Sequence, residues 1–541
     1  MNKLFPCFIR QKLLLLFLIF GTFLSKAQNH SERFATLDAL HYAFEIHLND
    51  TTNRIEGKTI ATIRLLKPTK NIVLDFVNVN DSTKMGMTVS SVTENGNQLQ
   101  FNHKKNRLTI QLTKKLIDKK EVSLEINYSG IPADGLIISK NKFGDRTFFG
   151  DNWPNRARYW LPTIDHPSDK ATLDFLVYAP NRYQVISNGV LVEETNITTS
   201  TKLTHWKESV PLATKLMVIG VARFAVQYSG SYRNIPVSKW VFPQNREIGF
   251  ADYSFDKKAL KFYSELIGRY SYEKLAHVQS KTRYGGMENA SCIFYSERSV
   301  NGNNSEEALF AHETAHQWFG NSVTEQNWHH IWLSEGFATY LTHIYNQHFH
   351  GENFFRDGMK NDRRRVIAYS KRNFAPIIDT TVTNYNRLLN PNSYQKASWV
   401  LHMLREKLGD KIFFAGLQSY YNVYKNSTAL TADFKKIMEM ESGEDLSTFF
   451  HQWLWQPGQP QIRVSFKQKA ENKVRFNIKQ VQPNYFFTFP LEIEIQYKNG
   501  ETEIKSITIK DRETVYSTSA NGKIESILID PETKLLFELL Q

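Results

Sequence analysis

Cysteine is nearly missing from this chain: two in 541 residues, Cys7 and Cys292. Cys7 lies ahead of the apolar run "LLLLFLIFGTFL" at 13–24, in a stretch that reads as a leader, so the mature protein keeps Cys292 alone and forms no internal disulfide. Stability must then come from apolar cores and bound metal, not from bridges. Cys292 stands in no Cys-His signature, and an isolated cysteine of that kind is expected to be buried and inert. The apolar run is too short to be a membrane span, at about 12 residues against roughly 20. With Lys3, Arg10 and Lys12 before it and Ala27 after it, residues 1–27 have the form of a cleavable secretory signal, and no cysteine sits at the cleavage point to take a lipid. The expectation is export to a periplasm or beyond the cell, with no stable membrane anchor once the signal is gone.

Concentrated charge is missing as well. The formal net charge is +13, and Lys3, Arg10, Lys12 and Lys26 account for four of it, which leaves +9 after residue 27. The densest run, "KNDRRR" at 360–365, falls in a predicted helix and reads as a solvated face. With no arginine-rich tail and no nucleic-acid-binding motif, a nucleic-acid partner is excluded. Internal repeats and low-complexity linkers are lacking too. What remains is 41% hydrophobic and 22% charged, the balance of a folded chain, and its length predicts three or four domains.

Three regions differ in period. Residues 28–233 alternate apolar and polar in "HYAFEIHLN", "KTIATIRLL", "EVSLEINYSG" and "ATLDFLVYAP", which predicts an N-terminal antiparallel β domain. Residues 234–455 carry apolar positions at helical spacing in "DKKALKFYSELIGRY", "ASWVLHMLREKLGD" and others, which predicts a mainly helical domain. After the turn-rich "QPGQPQ" at 456–461, alternation returns in six or seven short strands, the pattern of a small C-terminal β-sandwich over 456–541. The fold class is therefore multidomain α+β.

The chemistry is concentrated in "ALFAHETAHQWFGN" at 308–321. His312 and His316, four apart, share one face of a helix one turn from each other and can aim at a single ion. Ser305 is the expected cap of that helix and Gly320-Asn321 its end. A catalytic zinc needs a third protein ligand and an open fourth position. Glu335 in "WLSEGFATYL" supplies the ligand, 18 residues beyond His316, far enough for a second helix to return against the first. Glu313 points about 100° away from His312 around the helix, where it can take a proton from a zinc-activated water. His329 and His330 are expected to be surface or supporting residues instead of ligands.

Four stretches together resemble the M1 family of zinc aminopeptidases, gluzincins with a thermolysin-like catalytic domain: "YGGMENASC" (284–292), "HETAHQWFGN" (312–321), "WLSEGFATY" (332–340) and "SYQKASWVLHML" (393–404). A fifth, "ARYWLPTIDHPSDKATLDF" (157–175), resembles the family's β-domain signature, and the resemblance covers roughly 35–455. It implies one zinc ion per chain and peptide substrates with a free N-terminus, lying between the β domain and the helical domain. It implies that Gly285, Gly286, Met287 and Asn289 line the substrate cleft, that Glu288 binds the free α-amine, and that Tyr394 donates to the oxyanion, with Tyr385 a nearby competitor. A carboxylate at a fixed distance from zinc would set the first peptide bond on the metal.

Two departures bear on these implications. Ala397 replaces the glycine usual after Tyr-x-Lys, and "GDNWPNRAR" puts Asp151 and Trp153 where many members have Gln and Glu. Asp151 then either favours a basic first residue or is a turn residue. The chain also reaches a small β domain where members often carry a large helical one, so a more open cleft, admitting longer peptides, is expected. Two other readings stay open at this point: a zinc endopeptidase on the same site, and an inactive scaffold binding peptides or surface glycans.

Overall fold

The structure, a computed structural model, describes residues 34–116, 120–470 and 472–540. The signal reading of 1–27 and Cys7 lie outside the described residues. Among them, no helix is long and apolar enough to cross a membrane. The chain divides into two compact units, one through Arg223 and one from Phe224. The second thus opens ten residues before the expected 234, because the strand Ala225–Tyr232 forms a hairpin with Ile235–Val241 and belongs with it.

The first unit is β throughout, apart from short 3-10 turns. Its largest sheet has eight strands, and at its centre Leu37–His47 pairs with Ile55–Leu65 on one side and Lys170–Pro180 on the other. Alternation is strict along these strands: Tyr42, Phe44 and Ile46 are fully buried, as are Phe175 and Val177 opposite them. Each such burial stabilises the fold by about 1.5–3 kcal/mol. One expectation needs correction. Leu37–His47 and Lys170–Pro180 run parallel, so the domain is not purely antiparallel. Over a hundred residues separate the two strands, and no hairpin dictates their relative direction.

In the same unit Asp151 is buried, and its Oδ1 accepts from the Arg156 guanidinium at 2.5 Å. An acid neutralised inside its own domain is not left to select a basic substrate, so its role is that of a structural residue in the "DNWPNRAR" turn. Trp153 is buried too. The signature that follows is held from within: the Arg158 Nε donates to Asp165 at 3.0 Å.

The second unit begins with a five-stranded sheet in the order Ala225–Tyr232, Ile235–Val241, Leu275–Ser280, Cys292–Ser296, Gly286–Met287. This sheet is absent from the sequence reading of a mainly helical region. "LAHVQS" and "CIFY" are buried at every position, so they carry no alternation to detect. The unit also holds nine α-helices among the described residues, including Asp256–Leu266, Glu307–Ala315, Trp332–His350, Glu352–Ser370 and Ala397–Leu408. The C-terminal strands form sheets of four and three, each with one buried face, as the alternation predicts.

The run at 360–365 is only partly a solvated face. Arg364 and Arg365 are exposed, but Arg363 donates to Asp530 at 2.5 Å and lies over the rings of Trp399 and Phe537. It fastens the helix to the C-terminal β sheets.

Candidate metal centre

The helix Glu307–Ala315 carries His312 and Glu313, and His316 continues its backbone as the first residue after it. Ser305 is not the cap. The helix opens at Glu306 with no side-chain cap bond, and the Ser305 hydroxyl accepts from Asn301 Nδ2 at 3.0 Å instead. Past His316 the chain turns sharply through Gly320, whose φ of +116° is open to glycine. A Cβ there would fall 2.2 Å from Ser334 Oγ and 2.9 Å from His316 Nδ1. That close approach fixes the imidazole: Nδ1 donates to the Phe319 carbonyl at 3.2 Å, with Ser334 Oγ at 3.1 Å, which leaves the Nε2 lone pair free.

After a short strand, Val323–Glu325, the helix Trp332–His350 packs against the first and brings Glu335 to the histidines. Glu335 Oε2 lies 3.5 Å from His312 Nε2 and 3.2 Å from His316 Nε2, and the two Nε2 atoms are 3.2 Å apart. Donors about 2.0–2.1 Å from one ion at tetrahedral angles are themselves about 3.3 Å apart, so all three separations fit zinc. Glu335 Oε2 is also buried without a hydrogen-bond donor. Burial raises the Glu335 carboxyl, yet the His316 and His312 imidazoles outweigh it and hold the group well below the usual carboxylate range. Burial likewise lowers His316, yet Glu335, Glu288 and Glu313 carry it up to about 9. The pocket is arranged to hold positive charge among these donors. Among the described residues it is the His/Cys/Asp/Glu group able to hold a metal.

Three further groups face this cluster. Glu313 is buried, and its carboxyl is raised well above the usual range by burial first, with His316 opposing and Glu288 and Glu335 adding to it. Gly286 explains where Glu313 can lie: a Cβ on Gly286 would be 2.3 Å from Glu313 Oε1. Glu288 is buried with Oε1 lacking a hydrogen-bond partner, and its charge acts on His312, His316 and Glu313 alike. Tyr394, on the π-turn Asn392–Lys396, stacks near His312 with ring centroids 6.2 Å apart, and its phenol is within hydrogen-bonding reach of Glu335. Burial, then the three carboxylates, keeps that phenol protonated well above its usual range.

Gly286–Met287 is the end strand of its sheet, so one edge is free among the described residues. The Gly285 carbonyl accepts from Ser296 N–H at 2.9 Å, within the sheet. By alternation the N–H and C=O of Gly286 face the free edge. Met287 is buried, and so is Asn289, whose amide has no partner for either polar atom.

Sequence reasoning missed the residues that hold this strand in place. Gln317 Nε2 and Asn321 Nδ2 both donate to the Glu288 carbonyl, at 2.8 and 2.6 Å, so the turn that follows the helix of His312 also positions Glu288. Their place in "HETAHQWFGN" was the available signal. His329 and His330 stand apart from the cluster: His329 bonds Asn327 and the Val382 carbonyl, and His330 bonds Thr431. Tyr385 stacks on Trp328, with centroids 5.6 Å apart. Cys292 lies in the sheet with its thiol pushed up to about 12 by burial, consistent with an inert residue.

Two family models match the chain in series. The Peptidase M1 N-terminal domain covers residues 38–216, and the Peptidase family M1 domain covers 252–453, which contains all three metal ligands. The chain belongs to peptidase family M1. Similar proteins include a probable aminopeptidase 2 of Sulfurisphaera tokodaii, 26% identical over 83% of this chain and 58% of that protein. A leucyl aminopeptidase of Saccharolobus solfataricus is 25% identical over 87% of this chain and 60% of its own length. The glutamyl aminopeptidase of Homo sapiens is 28% identical over 58% of this chain and 34% of that protein. The chain spans at most about three-fifths of the length of these relatives.

Proposed function

We propose that this chain is a zinc-dependent aminopeptidase, releasing the first residue from peptides with a free N-terminus. The observation that carries the reading is Glu288: a buried carboxylate with an oxygen unpartnered among the described residues, on a residue whose backbone carbonyl Gln317 and Asn321 hold beside a His-His-Glu cluster. A metal centre alone hydrolyses any peptide bond it can reach. A fixed acid at its edge gives a leading ammonium one place to sit, and with it the first peptide bond.

The residues divide the reaction among themselves. His312, His316 and Glu335 hold zinc, which when bound supplies Lewis acidity toward a carbonyl and acidifies a water. Glu313 takes the proton of the attacking water and hands it to the leaving amine. Its raised pKa suits a group that must both receive and release a proton. Tyr394 donates to the oxygen on which negative charge develops, adding a donor without a charge. Gly286 offers its N–H and C=O to the substrate backbone as an added strand.

The deciding experiment is hydrolysis of leucine p-nitroanilide and its N-acetyl form by zinc-loaded protein, beside Glu313→Gln. The free substrate is expected to be cleaved and the acetylated one spared. Glu313→Gln should lose turnover by at least about a thousandfold while keeping one zinc by metal analysis. Equal cleavage of acetylated peptides would sink the amine anchor and leave an endopeptidase. Export follows from the reading of residues 1–27, and a mature N-terminus elsewhere than after Ala27 would count against it.

A further inference from the structure

A groove reaches Gly285, the residue before the strand Gly286–Met287, while Glu288 follows the strand's other end. Gly285 forms its lip, exposed, with only Leu309 Cδ1 within 4 Å of where a side chain would begin. Its walls carry Lys281, Arg283, Arg298, Glu297 and Glu306, around a cavity of about 510 Å³. Three cations thus meet two acids. Lys281 is paired with Glu297 at 2.6 Å, and Glu306 accepts from Asn301 at 3.1 Å. Arg298 is exposed and makes no ion pair among the described residues.

The direction of a bound peptide follows from two contacts, one on the strand Gly286–Met287 and one at Glu288 just beyond its end. Glu288 takes the ammonium at one end, and Gly286, with Glu313 packed against it, marks the scissile bond. A chain entering at Glu288 and passing Gly286 therefore runs antiparallel to the strand. Its later residues leave over Gly285 and Tyr284 into the groove. Arg283 is three residues from Gly286, at most about 10 Å along extended chain, the span of two or three substrate residues.

We infer that this groove is the subsite for the leaving part of the peptide, with Arg298 and Arg283 selecting a carboxylate two or three residues beyond the scissile bond. The inference rests on the aminopeptidase reading above. The carboxylate has two sources, the free C-terminus of a tri- or tetrapeptide or an Asp or Glu side chain in a longer one. A preference for such substrates would be a property of the chain's own groove, independent of which first residue is removed.

The test compares kcat/KM for Leu-Gly-Gly-Gly as free acid, for its C-terminal amide, and for Leu-Gly-Glu-Gly-amide. Each is divided by kcat/KM for leucine p-nitroanilide measured on the same protein, which removes any damage to the metal centre. For the natural chain the free acid is expected to exceed the amide by about fivefold to tenfold, the range of one partly exposed charged contact. Recovery by the Glu-containing amide identifies a side-chain carboxylate as an accepted source, and its absence restricts the subsite to a C-terminus. Arg298→Glu, and Arg283→Glu separately, should reverse the order of acid and amide, whereas Lys360→Glu on a distant exposed helix face should leave it. Equal ratios for acid and amide, or the same loss in Lys360→Glu, would overturn the subsite alone. No cleavage of the anilide by zinc-loaded protein would overturn the aminopeptidase reading and the subsite together.

Discussion

Single side chains around the metal do different work because their surroundings differ. Three carboxylates, Glu288, Glu313 and Glu335, face one metal cluster, yet two imidazoles hold Glu335 below the usual carboxylate range while burial raises Glu313 above it. Tyr394 is the cleanest residue to test, since its phenol is a donor whose loss leaves the ring in place. Tyr394→Phe should lower kcat by about a hundredfold to a thousandfold, the size found for removing one oxyanion donor, with KM and zinc content little changed. Steady-state kinetics with metal analysis reads this directly. A rise in KM at constant kcat would place Tyr394 in ground-state binding instead. At this scale the sequence was highly legible: His312, His316 and Glu335 sit together as the spacing implied. What it hid were supports such as Ser334 and the Phe319 carbonyl, because a hydroxyl or a carbonyl carries no motif.

Elements are joined at this site by small residues. A Cβ on Gly336 would meet Ala397 Cβ at 2.5 Å, so the helix carrying Glu335 touches the start of Ala397–Leu408, immediately after the π-turn of Tyr394. The metal ligand and the phenol are thereby set by one helix contact. Gly336→Ala should push these elements apart, costing about 1–3 kcal/mol and lowering kcat/KM. Adding Ala397→Gly removes the opposing methyl and should restore most of both losses, a coupling that unfolding and kinetics on the four-member cycle would measure. Additive losses would show that the two positions do not share a contact. The Ala397 methyl fits here because Gly336 has no Cβ to oppose it. The five-stranded sheet was not legible at this scale: strands buried on both faces lose the alternation by which strands are recognised.

For the second unit as a whole, His402 links helical and C-terminal β parts. Its Nε2–H donates to the Thr533 carbonyl at 2.9 Å and its Nδ1 accepts from the Tyr340 hydroxyl at 3.2 Å. This requires a neutral imidazole, and burial lowers its pKa to about 3, with Arg405 and Arg363 adding to the effect and the Thr533 carbonyl opposing it. In the unfolded chain the ring takes a proton below its ordinary value of about 6.5. The stability it contributes is complete above that value and is lost as pH falls toward 3. His402→Gln keeps a donor but cannot titrate. Between pH 7 and pH 5 the natural chain should lose about 2 kcal/mol more than the variant, seen as converging urea midpoints. A constant gap between the two would mean that the ring titrates normally in the fold.

The sequence by itself determined the ligand set, the three-part order of β, helical and β regions, and the family, because helical spacing, alternation and short motifs are local properties of a chain. Only the tertiary structure decided that Leu37–His47 runs parallel to its distant partner, that Asp151 is consumed by Arg156, and that Arg363 anchors a β sheet instead of facing solvent. Each of these depends on which remote residue arrives alongside. Relative strand direction, pairing of a buried charge and the clasp of Gln317 and Asn321 on the Glu288 carbonyl are set by contacts across the fold, and a one-dimensional pattern does not encode the partner.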